Sequence, residues 1–312
     1  MDALKEHIAF YEQQYRPVAE WSLRPGDRVV LGQKHDRRCR FCGRSKPDTT
    51  FHMNAHALPE SVGNKSLFTY YECDDCNRSF GHGCENDFGN WSLPMRTMSR
   101  INGKEGVPSL KQGPGNAWRV DEHPTGLKIS LDETEGFWHD DVANRTLVFT
   151  LKRGPYRPSG VAQAFFKMAL SVMPEAELPN FQKLLEWIKP GTLQKMAAPT
   201  PLLHTFVGGA LPRDLLRVSV LTRISDETVS PYCFFLLGYG NELFQVAIPS
   251  AERDHRHFGN KMTVPTFSFC GDAAAAISAT VRKLDLYSDE VVRGDTVEVM
   301  LSYESRVDCT SE

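Results

Sequence analysis

Four cysteines constrain this chain more than any other feature: Cys39-x2-Cys42 and, after 30 intervening residues, Cys73-x2-Cys76. A C-x2-C pair offers two thiolates to one tetrahedral metal from a single tight turn, helped here by Gly43, and two such pairs complete a closed structural site. The expected metal is Zn²⁺, bound as part of the fold. Disulfides are the competing use of paired cysteines, but they belong to oxidising compartments. The segment Met1 to His7 carries acids and a histidine where a secretory signal would place a basic stretch and then an apolar one, so a cytoplasmic location is expected. Cys84, Cys233, Cys270 and Cys309 lack comparable partners and read as ordinary buried or surface thiols.

With 312 residues the chain is long enough for two domains, and its 41% hydrophobic and 24% charged content excludes a disordered, collagen-like or coiled-coil protein. The longest apolar runs, such as Cys233 to Leu237, fall far short of the roughly 20 residues that span a membrane, so no membrane partner is expected. The loop-forming run Gly103 to Asn116 predicts a boundary, with one domain over 1–115 and a second over 116–312. In the second, β-branched, aromatic and alternating content predicts strands at Leu127 to Leu131, Thr146 to Leu151, Leu216 to Thr222, Tyr232 to Gly238, Leu243 to Ile248 and Thr296 to Ser302. Helical spacing marks Val161 to Val172, Phe181 to Ile188, and Ile277, Val281 and Leu284. The fold class expected is α+β throughout.

A net charge of -3 argues against a protein that coats nucleic acid by bulk charge. The distribution is more telling. Between Arg16 and Lys46 stand nine bases (Arg16, Arg24, Arg28, Lys34, Arg37, Arg38, Arg40, Arg44, Lys46) against three acids (Glu20, Asp27, Asp36), a local +6. Between Arg96 and Arg119, five bases face Glu105 alone, a local +4. Such runs are often only solvated surface, but these two flank the cysteine pairs and could bind phosphates.

Between the pairs lies His52-Met53-Asn54-Ala55-His56-Ala57-Leu58-Pro59-Glu60, and Asn77 directly follows the second pair, opening an expected helix to about Trp91. His56-Ala57-Leu58-Pro59 together with Cys73-Asp74-Asp75-Cys76-Asn77 resembles the zinc-stapled HNH (His-Me finger) endonucleases, over roughly residues 35 to 110. In that family a histidine followed by apolar-x-Pro ends the first strand of a ββα unit, and the residue just after the second cysteine pair starts the helix and binds metal. The resemblance implies a DNA endonuclease with His56 as general base, Asn77 as a ligand to a catalytic Mg²⁺ or Mn²⁺, and the zinc as scaffold. The chemistry is consistent: phosphodiester hydrolysis needs a base for the attacking water and a cation to neutralise charge on the phosphate. A neutral histidine serves as base near pH 7, and an amide oxygen suits a hard ion.

One position departs from the family pattern. Many HNH enzymes carry an acid immediately before the catalytic histidine, where this chain has Ala55. If the segment is a strand, His52, Asn54 and His56 share one face, so His52 or Asn54 could supply the missing ligand, and His52 is the candidate carried forward. Glu85, eight residues beyond Asn77, would stand about 12 Å further along a continuous helix, too far to share the ion unless the helix starts late.

The motifs Phe41-Cys42-Gly43-Arg44, Gly63-Asn64-Lys65 and Glu85 to Trp91, with the histidine segment, look like the nuclease half of bacterial HNH effectors of anti-phage defence. Some of those effectors carry a C-terminal sensor that responds to a cyclic oligonucleotide. By analogy a second domain would gate the nuclease through a cyclic nucleotide or another small-molecule activator, in a homo-oligomer; the resemblance ends near residue 115, and that domain could instead read DNA, bind a protein partner or complete a dimer. Ala55 keeps a different reading open, a zinc-ribbon module that binds nucleic acid or protein around an inactive centre.

Overall fold

Helix α1 (Asp2–Gln14) passes directly into the strand Tyr15–Leu23, and that strand does not join the cysteine-rich segment that follows it. It pairs antiparallel with Leu216–Arg223, from Tyr15 opposite Arg223 to Leu23 opposite Leu216. Residues 15–23, placed by the sequence in the first domain, thus form the edge of a six-stranded sheet whose other strands come from residues 202–284. The computed structural model describes residues 2–113, 118–124, 126–130, 137–190, 201–209, 211–257, 262, 264–267 and 279–304. They form a mixed α+β fold with one six-stranded and three three-stranded sheets.

In the large sheet, Leu216–Arg223 is followed by Cys233–Tyr239, Glu242–Ile248, Leu202–Val207 and Ala279–Leu284, each antiparallel to its neighbour. Cys233–Tyr239 and Glu242–Ile248 are buried along their whole length. Their side chains alternate between two apolar layers: Phe234 and Leu236 pack with Tyr11 of α1, whereas Phe235, Leu237 and Phe244 join the core that contains Phe165. A strand covered on both faces reads as a continuous apolar run, which is why this hairpin was legible in the sequence.

The expected strands over Thr146 to Leu151 and Thr296 to Ser302 pair with each other, as Thr146–Lys152 and Thr296–Ser302. The helix expected around Val281 and Leu284 is absent: Ala279–Leu284 is the outer strand of the large sheet, and Ile277 lies outside the described residues. The open edge of Leu202–Val207 satisfies its backbone groups in a ladder, which outweighs two residues at helical spacing.

The zinc-pair region builds its own small sheet. Leu67–Thr69 lies at its centre, parallel to Val29–Leu31 and antiparallel to Ala55–His56, and helix α2 (Asp74–His82) follows. The single helix expected from Asn77 to Trp91 is in fact two, because Gly83 leaves helical geometry (φ -100°, ψ -111°) before α3 (Cys84–Met98) begins. A Cβ at Gly83 would lie 3.1 Å from the Ser79 carbonyl oxygen, so glycine suits this break.

Helix α4 (Pro158–Val172) joins the two regions. It opens with proline in its first turn, where no helical N–H is lost, and nearly all its residues are buried. Against α3 it packs so closely that a Cβ on Gly160 would stand 2.1 Å from Oδ2 of Asp87. One continuous core runs from Phe41 and Phe88 through Phe165 to Phe235 and Val246, spanning both sides of residue 115.

Candidate metal centre and active site

The first cysteine pair sits in a tight turn: Gly43 N–H donates to the Cys39 carbonyl (2.8 Å), Cys39 N–H to that of Arg44 (2.8 Å), and Gly43 adopts φ 73°. The second pair straddles the start of α2, with Cys73 as its N-cap residue and Asn77 N–H returning to the Cys73 carbonyl (2.9 Å). The four sulfurs lie within 4.8 Å of one another, with Cys42 and Cys73 3.7 Å apart. A tetrahedron of Zn–S bonds of about 2.3 Å has edges of about 3.8 Å, so the residues fit the ion. A hydrogen bond with Cys76 draws the Cys39 thiol down to about 5 despite burial, and the same bond pushes the Cys76 thiol up, so Cys39 is the thiolate of that pair.

His56 ends the two-residue strand Ala55–His56, held by pairing with Phe68 and Thr69. Behind it, Asn64 is buried and fully used: its amide donates to the carbonyls of Leu58 (2.8 Å) and Leu67 (2.9 Å), and its oxygen accepts from the Ser66 and Leu67 N–H groups. The imidazole is half-buried, meets the Phe68 ring edge-on at 4.6 Å, and points Nδ1 at Oε2 of Glu60, 4.0 Å away. Burial pushes its pKa below the ordinary histidine value; Glu60 opposes this, while Lys65 and Lys167 reinforce it. A neutral ring near pH 7 is the form a general base requires.

The strand expected from His52 to His56 covers only its last two residues. Residues 51–54 are loop, and His52, Met53 and Asn54 are exposed. Asp74 fixes that loop, accepting from Thr50 Oγ1 (2.5 Å), His52 N–H (2.9 Å) and Met53 N–H (2.9 Å). Burial works to raise the Asp74 pKa, but these bonds together hold it below the ordinary carboxylate value. Asn77, in the first half of α2, approaches the same loop through Met53, with Nδ2 3.6 Å from Sδ. His52 and Asn77 thus border one loop. Among the described residues, the zinc cysteines are the one group of three or more His, Cys, Asp or Glu side chains at ligand spacing.

Two residues that the sequence did not single out stand at the histidine. Glu60 stands 4.0 Å from Nδ1, beyond hydrogen-bond reach, and its acid four places after His56 was the available signal. Lys167, on α4, places Nζ 2.9 Å from Glu72, 2.9 Å from Glu85 and 3.5 Å from the His56 carbonyl oxygen. Glu85 is in the first turn of α3 and is engaged by this lysine.

The two basic stretches differ in use. Arg28 is exposed and lies over the Phe68 ring (4.8 Å), one ring away from His56. Lys34, His35, Arg37 and Lys46 line a cleft beside Phe51. In the second stretch, Arg96 is buried against Ser92 and Gly89, Arg100 pairs with Glu122, and Arg119 pairs with Asp121. These three arginines are engaged within the fold while Lys104 and Lys111 stay exposed; in the first stretch Arg28 remains on the surface one ring from His56.

Residues 39–92 match the family model for HNH endonucleases. The match contains the four cysteines, His52, His56, Asn77 and the acids Glu60, Glu72 and Glu85, and it leaves out α4. Comparison of the chain with curated proteins and with solved structures gives no match.

Proposed function

We propose that this chain, with an HNH endonuclease domain at residues 39–92, is a metal-dependent DNA endonuclease restrained by its C-terminal region. The observation that carries the reading is His56: a half-buried ring whose pKa burial lowers, with Glu60 4.0 Å from Nδ1, at the end of a strand in the region stapled by four cysteines. Nε2 takes the proton of a water attacking the scissile phosphorus, and the P–O bond to the leaving oxygen breaks. Asn77 and His52 would hold Mg²⁺ or Mn²⁺, which when bound neutralises charge on the phosphate and the leaving group. Arg28 and the cleft around Lys34, Arg37 and Lys46 bind flanking phosphates of the duplex.

Restraint follows from hazard. The nuclease module carries no recognition helix or finger array among its described residues, and an unrestrained, sequence-tolerant nuclease would cut its host's DNA. Residues from 116 onward are the part large enough to restrain it, and α4, buried between the two regions, is the physical link. Ala162 and Phe166 of α4 also line a cavity of about 390 Å³ with Leu284, Lys283 and Tyr287, where a small activator such as a cyclic nucleotide fits the reading. Such a ligand must prefer the active state by about 5.5 kcal/mol to move the population from 1% to 99%. Activation in a homo-oligomer and a role in bacterial antiviral defence complete the proposal, supported by the motif resemblance given above.

One observation favours the alternative of a zinc-stapled binding module: Ala55 is buried where many relatives have an acid, and no second cluster of acids and histidines replaces it among the described residues. Nicking of supercoiled plasmid by the intact chain decides. The expected result is low basal nicking in Mg²⁺ or Mn²⁺, abolished by chelator and raised by one of a panel of cyclic nucleotides. DNA binding without nicking under every condition supports the alternative. The test uses the whole chain because Tyr15–Leu23 belongs to the sheet that a truncation at 115 would remove.

A further inference from the structure

Helix α4 carries a charge where packing asks for none. Between Phe166 and Met168, in a helix buried on almost every side, Lys167 is 1% exposed. Its ammonium reaches into the nuclease region and meets three segments that are separate in the chain. Glu72 precedes the second cysteine pair, Glu85 lies in the first turn of α3, and His56 offers its carbonyl from the short strand. The two carboxylates stand 2.9 Å away and the carbonyl oxygen 3.5 Å.

Stability does not account for this arrangement. Taking an ammonium and two carboxylates out of water is costly, and replacing such a cluster with apolar groups of similar volume is often neutral or stabilising. Methionine would fill the same space. What the ammonium adds is geometry, because one cation meets three separate segments, as ion pairs to the two carboxylates and through a long hydrogen bond to the His56 carbonyl. The strand that bears His56 is only two residues long, so its ladder to Leu67–Thr69 alone sets few of its degrees of freedom.

We propose that Lys167 is a positioning residue of the nuclease, a cation delivered by the C-terminal region that fixes the His56 strand against α3 and the zinc loop. The proposal rests on the reading of His56 as general base. It makes the catalytic geometry depend on the seat of α4, since a 1 Å displacement of a reacting group can cost about 100-fold in rate.

The test is the full-length variant Lys167→Met/Glu72→Gln/Glu85→Gln, which removes all three charges at near-constant volume and leaves no buried ion unpaired. Zinc content, melting temperature, kcat and KM for plasmid nicking, and the ¹⁵N ring resonances of His56, assigned with His56→Ala, are measured against wild type. The expected result is unchanged zinc, a melting temperature within about 5 °C, kcat lower by about 10- to 100-fold with KM within about twofold, and displaced His56 resonances. A kcat within about twofold of wild type overturns the proposal, and so does loss of zinc with a collapsed melting temperature, which would assign the cluster to the fold. If wild type itself does not nick DNA, the nuclease reading fails, and the resonances alone decide: displaced signals support positioning and unmoved signals overturn it.

Discussion

The guanidinium of Arg40, placed between the two cysteines of the first zinc pair, lies 2.9 Å from the Met173 carbonyl oxygen at the end of α4. It also donates to the carbonyls of Leu170 and Ser171 and stacks on Tyr71 at 3.9 Å. The last carbonyls of a helix have no partner within it, and a cation there also meets the negative end of the helix dipole. Burial lowers the Arg40 pKa to about 10, which still leaves the group charged at neutral pH. The metal staple and the C-terminal helix are therefore tied through one side chain.

Arg40→Met should cost about 1–3 kcal/mol, the range for leaving buried acceptors without a partner, while the cysteines keep their metal. Urea unfolding should show a lower midpoint at unchanged slope. A midpoint equal to wild type would mean that the end of α4 is held by other means.

The zinc site is expected to carry about one ion per chain, because its binding energy is part of the folding energy of the region around it. Cys73→Ser should lose the ion and loosen both cysteine turns. Arg40 would then no longer be fixed, so α4 should also become less protected against hydrogen exchange. Elemental analysis of protein prepared without chelator provides the check, and absence of zinc contradicts the assignment.

Gly160→Ala tests the contact of α3 and α4. The new methyl would lie 2.1 Å from Oδ2 and 2.8 Å from Cγ of Asp87, whose other oxygen accepts from Arg157 N–H at 3.0 Å. Overpacking of this kind costs about 1–3 kcal/mol. Gly81→Ala on α2 is the control, since a Cβ there meets nothing within 4 Å. It should be neutral or stabilising by up to about 1 kcal/mol. The melting temperature should fall for Gly160→Ala and hold or rise for Gly81→Ala.

The pH dependence of cleavage follows from His56, whose pKa burial sets below the ordinary value of about 6.5. The base works when unprotonated, so kcat/KM should hold as pH falls past about 6.5 and decline only at the lower, folded-state pKa. Stability carries the matching sign. The unfolded histidine binds its proton at higher pH than the folded one, so this group's contribution is lost as pH falls below about 6.5. An acid limb centred at or above about 6.5 would contradict the burial argument.

The features legible in the sequence were those written locally. The cysteine spacing determines the metal site because each pair closes within one turn, and the hairpin Cys233–Tyr239 with Glu242–Ile248 shows itself as two apolar runs around Gly240-Asn241. Long-range pairing was not legible: nothing within Tyr15–Leu23 says that its partner is Leu216–Arg223. Val281 and Leu284 are three apart, a spacing that suits a helix face, yet only the neighbouring strand decided their state. Lys167 was not singled out in the sequence, because its meaning depends on Glu72 and Glu85, which only the fold brings to it. Arg96 counted towards a basic stretch until packing turned it inward.

The central claim is that His56 performs the chemistry and does not merely support the fold. Wild type and His56→Ala, matched for zinc content, melting temperature and duplex binding, should be compared in single-turnover nicking of supercoiled plasmid with saturating Mg²⁺ or Mn²⁺. Loss of a general base costs about 100- to 10,000-fold, so the account predicts a fall of at least about 100-fold in His56→Ala with the other three properties unchanged. Nicking by His56→Ala at the wild-type rate would contradict it.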